Sequence, residues 1–128
     1  IKNYVGAERG KINGNKLYSL WDIYKHANLV TYPSNYEGFG NALLEAVYSK
    51  KPVVVNRYPV YNADIKPLGF EFIELDGFID GSTVERVRQL LQDQGSFVEA
   101  AKRNFEIARE HFSLEVLEKK LSELIASF

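Results

Sequence analysis

The stretch NLVTYPSNYEGFGNALLEAVYSKKPVVVN, residues 28–56, decides the architecture of this chain. It opens on a short run rich in strand formers, Asn28–Pro33, bounded by turn residues. A polar loop with two glycines follows, SNYEGFG. The next segment, Asn41–Ser49, reads as a helix with Ala42, Leu44 and Val47 available for burial. Then Pro52–Asn56 (PVVVN) is a continuous apolar run, the mark of a strand covered on both faces. Strand, loop, helix and strand in that order predict an α/β fold with a mainly parallel, Rossmann-like sheet and flanking helices. In such sheets ligands lie at the carboxyl ends of strands, in the loops that lead into helices. SNYEGFG is one of those loops.

The pattern continues outward on both sides. Ile1–Gly6 is β-prone, and a polar loop is expected around Lys11–Lys16. Leu17–His26 carries Leu17, Leu20, Trp21 and Tyr24 at helical spacing, with Trp21 read as a core anchor. Phe70–Leu75 reads as a further strand. From Gly81 the signal is helical. Ser82 and Glu85 stand at capping-box spacing, and Val84, Val87, Leu90 and Leu91 form a stripe. Gly95–His111 and Ser113–Ala126 are two more amphipathic helices. The stripe Leu114, Leu117, Leu121, Leu124 and Ile125 is read as core, being too short for a sustained coiled coil. The expected organisation is one incomplete domain over 1–128, with C-terminal helices from about residue 82.

Composition narrows the function. With 128 residues the chain can bury a core. Sixteen basic against seventeen acidic residues leave a net charge of −1, which gives no electrostatic case for nucleic acid. Without cysteine there are no disulfides or thiolate chemistry. No apolar run approaches the roughly 18 residues of a membrane span. A cytoplasmic location is expected. The chain has no methionine, even at position 1, and is read as a fragment.

At the junction itself, the first N–H groups of a helix lack intrahelical partners and sit at the positive end of its dipole. A phosphate is well placed there. Gly38 and Gly40 leave the backbone open to it. Gly40, Asn41, Ala42 and Leu43 therefore have the composition of an anion cradle, although Asn41 could equally serve as a cap. Carboxylates repel phosphate but accept hydrogen bonds from sugar hydroxyls. Glu37 before the helix and Glu45 one turn into it suit a ligand built as sugar, diphosphate, sugar. A solvated Glu45 is the plainer alternative.

The whole segment resembles a known family. E-G-F-G-x-x-x-L-E-A (Glu37 to Ala46), with seven residues between the glutamates, is similar to the two-glutamate motif of retaining glycosyltransferases of the GT-B fold. Y-x-x-A-N-L-V-x-x-P-S before it (Tyr24 to Ser34) and K-K-P-V-V-V after it (Lys50 to Val55) extend the likeness. The resemblance implies a donor-binding part of an enzyme that transfers a hexose from a nucleoside-diphosphate sugar to a glycan, lipid or small molecule. It implies Glu37 as the catalytic carboxylate, and Gly38, Phe39 and Gly40 against the donor sugar. Asn41, Ala42 and Leu43 would meet the phosphates and Glu45 the ribose. No metal or other cofactor is implied.

The implied partners are the donor and an N-terminal acceptor domain of the same protein. The resemblance leaves room for peripheral membrane association of the intact enzyme and self-association of the fragment. The family's Arg and Lys for the diphosphate have no match here, since Arg9-Gly10-Lys11 lies in a different context, so the fragment alone is expected to be inactive. The competing readings are a non-catalytic nucleotide-sugar-binding module and an α/β interaction module. In the loop Asn56–Ile65, Arg57 could reach a phosphate, and Tyr58 or Tyr61 a sugar or base. His26, His111, Glu106 and Glu110 read as structural or solvated.

Overall fold

The computed structural model describes residues 4–128, without the side chains of 94 and 96; Ile1–Asn3 of the expected first strand lie outside it. The strands form two three-stranded sheets. The first joins β1 (Val5–Gly6), β3 (Asn15–Ser19) and β2 (Gly10–Ile12), with β1 parallel to β3 and β2 antiparallel to it. The second is wholly parallel, in the order β4 (Val30–Tyr32), β5 (Val53–Asn56), β6 (Ile73–Leu75). Its helices are α2 (Asn41–Tyr48) after β4 and α3 (Gly81–Gln92) after β6. Then come α4 (Gln94–Phe112) and α5 (Leu114–Ala126).

β5 shows why this sheet forms. All four of its residues are buried. Val53 and Val55 enter one cluster with Leu43, Ala46, Val47, Tyr58 and Tyr61. Val54 faces the other, with Ile73, Leu75 and Leu90. Each buried valine is worth roughly 1.5–3 kcal/mol relative to exposure. Such a strand is stable only with helices on both faces, and α2 and α4 cover one face while α3 covers the other.

Several local expectations are overturned. The stretch around Lys11–Lys16 is no loop but the β2–β3 hairpin. Asn13 and Gly14 turn it with φ of 49° and 80°, the doubly positive turn that Asn-Gly favours. Leu17 thus belongs to β3, and α1 (Leu20–His26) starts three residues later. Ser19 caps α1 in a reciprocal capping box with Asp22. The Asp22 carboxylate also binds the Arg9 guanidinium and is held far below the ordinary carboxylate range. Trp21 is not a core anchor: it is half exposed.

In α2 the buried residues are Leu43, Ala46 and Val47, while Ala42 is exposed and Leu44 only half buried. Asp80, not Ser82, caps α3 by accepting from the Thr83 N–H at 2.7 Å. The α5 stripe is not core: no residue of α5 is buried, and Leu114 and Ile125 are 80% and 73% exposed.

α4 is fixed to the chain before β6 by buried Asn104. Its side chain accepts from Glu71 N–H at 2.7 Å and donates to Glu71 C=O at 2.9 Å. No helix among the described residues is long and apolar enough to cross a membrane.

Candidate donor site

Strand β4 delivers the chain into the loop 33–40 at the carboxyl edge of the parallel sheet. The loop ends at Gly40, with φ 101° and ψ 54°. That left-handed conformation suits glycine. Gly40 is the N-cap of α2, so the expectation that Asn41 caps is corrected. No side chain caps this turn among the described residues. The Gly40 carbonyl accepts from the N–H groups of Leu43 at 2.9 Å and Leu44 at 3.3 Å. Leu43 therefore gives its donor inward and buries its side chain. Asn41 and Ala42, both exposed, lead the helix at its positive end.

Two tyrosine hydroxyls back Gly40. A Cβ there would overlap the Tyr58 hydroxyl and come within 3.5 Å of that of Tyr32. The Tyr58 hydroxyl donates to the Phe39 carbonyl at 3.0 Å, and the two rings are 6.0 Å apart. Glu37 is half buried beside them. Burial and then the Glu37 carboxylate push Tyr32 up to about 12. Burial, followed by the Glu37 charge, does the same for Tyr58. Both hydroxyls therefore keep their protons at neutral pH. The Tyr32 hydroxyl is turned toward Glu37 as a donor.

Glu45, one turn into α2, is half buried and takes a long 3.5 Å hydrogen bond from Tyr24 of α1. The loop is tied at its start too. Buried Asn56, the last residue of β5, donates to Ser34 C=O at 3.1 Å and Asn35 Oδ1 at 2.7 Å. It accepts from Gly77 N–H at 2.8 Å. Sequence reasoning gave none of Asn56, Tyr24 and Tyr32 a role at this site; tyrosines near a glycine loop were the available signal.

The segment after β5 departs from expectation. Tyr58 and Tyr61 are fully buried, so neither offers its ring to a sugar or base. Their rings fill the core under the loop, where Tyr61 donates to Glu74 at 2.7 Å. Arg57 pairs with Glu74 at 2.8 Å and approaches Asp76 at 3.9 Å. Lys66 also pairs with Glu74, at 2.7 Å.

Burial pushes the Glu74 carboxyl up, yet the donors of Lys66, Tyr61 and Arg57 outweigh it and hold it at about 2, below its ordinary 4.5. A depressed carboxyl contributes stability above its unfolded value and loses it as pH falls through the folded one. The full shift would amount to about 3 kcal/mol; solvent screening of the part-exposed Arg57 and Lys66 reduces it to about 2. Stability should fall between pH 4.5 and about 2, and Glu74→Gln should flatten that part of the curve. Urea midpoints across this pH range check it; equal slopes in both proteins would exclude Glu74 as the cause.

A concavity of about 200 Å³ lies at the opposite, amino ends of β5 and β6. Its polar groups are already engaged: Arg86 bonds Phe72 C=O at 3.4 Å and Asn104 bonds Glu71. The polar side chains lining it are thus committed to holding the fold. Glu106 pairs with Arg109, and among the described residues no three of His, Asp and Glu gather as a metal-ligand set.

The parallel sheet with its flanking helices agrees with sequence comparison. Residues 12–111 match the model of the glycosyl transferases group 1, and the chain belongs to that family of GT-B glycosyltransferases. It is similar to the mannosylglucosylglycerate synthase of Thermotoga maritima, 43% identical over 116 residues, covering 80% of this chain and 27% of that protein. The synthase of the same name from Petrotoga mobilis is 40% identical over 110 residues, 85% of this chain and 24% of that protein. The chain thus spans about a quarter of the length of these curated relatives. No solved structure matches it.

Proposed function

We propose that this chain is the donor-binding part of a retaining glycosyltransferase, forming one incomplete nucleotide-sugar-binding domain. The observation that carries the reading is the uncapped, exposed start of α2 with a glutamate on either side. The N–H groups of Asn41 and Ala42 meet the diphosphate, and Gly38, Phe39 and Gly40 lie against the transferred sugar. Leu43 supports this turn through its bond to Gly40 rather than by giving its N–H to the ligand. Glu45 accepts from the ribose hydroxyls and Glu37 from the hexose. The leaving nucleoside diphosphate gains charge as the glycosidic bond breaks, and oriented amides stabilise that charge. A nucleoside-diphosphate sugar is the donor, and no metal or cofactor forms part of the proposal.

The name that both relatives share supports a mannosyl group as the hexose and a glucosylglycerate as the acceptor. The acceptor would be held by a domain outside this chain. Cytoplasmic action follows from the location of nucleotide-sugar donors.

Glu45→Ala removes the proposed ribose acceptor. Nucleoside-diphosphate affinity should weaken by about 1–3 kcal/mol, the range for hydrogen bonds to a charged group. Isothermal calorimetry checks this. Unchanged affinity would take Glu45 out of the site, and no heat with any nucleotide would favour the interaction-module reading.

A further inference from the structure

We propose that Tyr58 is a positioning residue: its hydroxyl fixes the Phe39–Gly40 peptide so that the Gly40 N–H joins the amides offered to the donor diphosphate. This deepens the nucleotide-sugar reading and rests on it.

The argument begins with the peptide plane. In a trans peptide the C=O and the following N–H point in opposite directions. The Tyr58 hydroxyl lies on the core side of the loop and donates to the Phe39 carbonyl at 3.0 Å. The Gly40 N–H must then point away from Tyr58. The next two amides, of Asn41 and Ala42, begin the helix on exposed residues. Gly40 itself is buried, so its N–H stands behind the exposed amides of Asn41 and Ala42, and together the three successive donors form a concave set suited to an anion.

The same peptide could flip in a loop containing glycine on both sides of Phe39, because glycine accepts either sign of φ. A flip would turn the Phe39 carbonyl outward, and a carbonyl oxygen repels phosphate. The Tyr58 bond opposes that flip. Tyr58 cannot easily yield: its ring is fully buried, packed on Tyr32 and Tyr61 at centroid separations of 6.0 and 5.8 Å. Its backbone is anchored next to Asn56, which holds the start of the same loop through Ser34 and Asn35. The end of β5 thus grips the loop near both its ends.

The test is Tyr58→Phe, which removes one oxygen and keeps the ring. UDP, GDP and ADP, and the corresponding nucleosides, are titrated against both proteins by chemical-shift changes. The diphosphate that binds wild type should bind the variant about tenfold more weakly, while its nucleoside, lacking phosphate, binds both within twofold. A merely destabilised variant would weaken both ligands alike, and that result overturns the proposal, as does unchanged diphosphate affinity. Wild-type protein that binds no diphosphate would remove the nucleotide reading itself, and this inference with it.

Discussion

Gly40→Ala is expected to remove about 4 kcal/mol of folding stability. Three contributions converge. A residue with a Cβ at φ 101° is strained by roughly 1–3 kcal/mol. The new methyl would overlap the Tyr58 hydroxyl, which is locked in a buried ring; overpacking of this kind costs about 1–3 kcal/mol. Moving the hydroxyl aside breaks its bond to Phe39, worth about 1 kcal/mol. Against a typical domain stability of roughly 5–15 kcal/mol, the variant should be marginal. Urea denaturation measures it. The clash and the backbone strain separate in a double-mutant cycle. Tyr58→Phe in the Gly40→Ala background should recover part of the loss, because the methyl then faces ring carbon at 3.4 Å, while the φ strain remains. A Gly40→Ala protein within 1 kcal/mol of wild type would mean that the loop is not held against Tyr58.

The second large effect concerns turnover. If Glu37 holds the transferred hexose as proposed, Glu37→Gln in the whole transferase should lower kcat by about 10²–10³, the scale seen when one stabilising group is removed from a polar site. Donor affinity should change only a few-fold, because the amides at the start of α2 and Glu45 still hold the nucleotide. The loop should survive the change. Glu37 is half buried, and an amide can still accept from the Tyr32 hydroxyl. Steady-state kinetics resolves kcat from KM. A Gln variant with near-normal kcat would remove Glu37 from the chemistry, and an equal fall in affinity would assign it to binding instead.

Much of this arrangement was legible before folding was considered. The PVVVN run announces a strand buried on both sides, and β5 is buried at every position. The order strand, glycine loop, helix places Glu37–Gly40 at the carboxyl edge of the sheet, where the structure has it. What failed did so for identifiable reasons. Asn13–Gly14 is turn chemistry, and a polar composition concealed two strands. The α2 stripe is read on Ala42, Leu44 and Val47; Val47 is buried, but Leu43 and Ala46, not Ala42 and Leu44, share the core with it. Trp21 and the α5 leucines illustrate a different limit. Periodicity tells which side chains share a face, not what covers it.

The sequence alone determined the α/β class, the strand that centres the parallel sheet, and the pair of carboxylates around a helix start. Those features are local: they follow from hydrophobic runs, glycine positions and spacing along one segment. Only the tertiary structure decided that Tyr32 and Tyr58 back Gly40, that Asn56 ties the loop's beginning, and that Tyr61 and Arg57 serve Glu74 rather than a ligand. Those partners are 8 to 22 residues apart in the chain or more weakly patterned still. Their meeting depends on how β4, β5 and β6 align, and no single segment encodes that register.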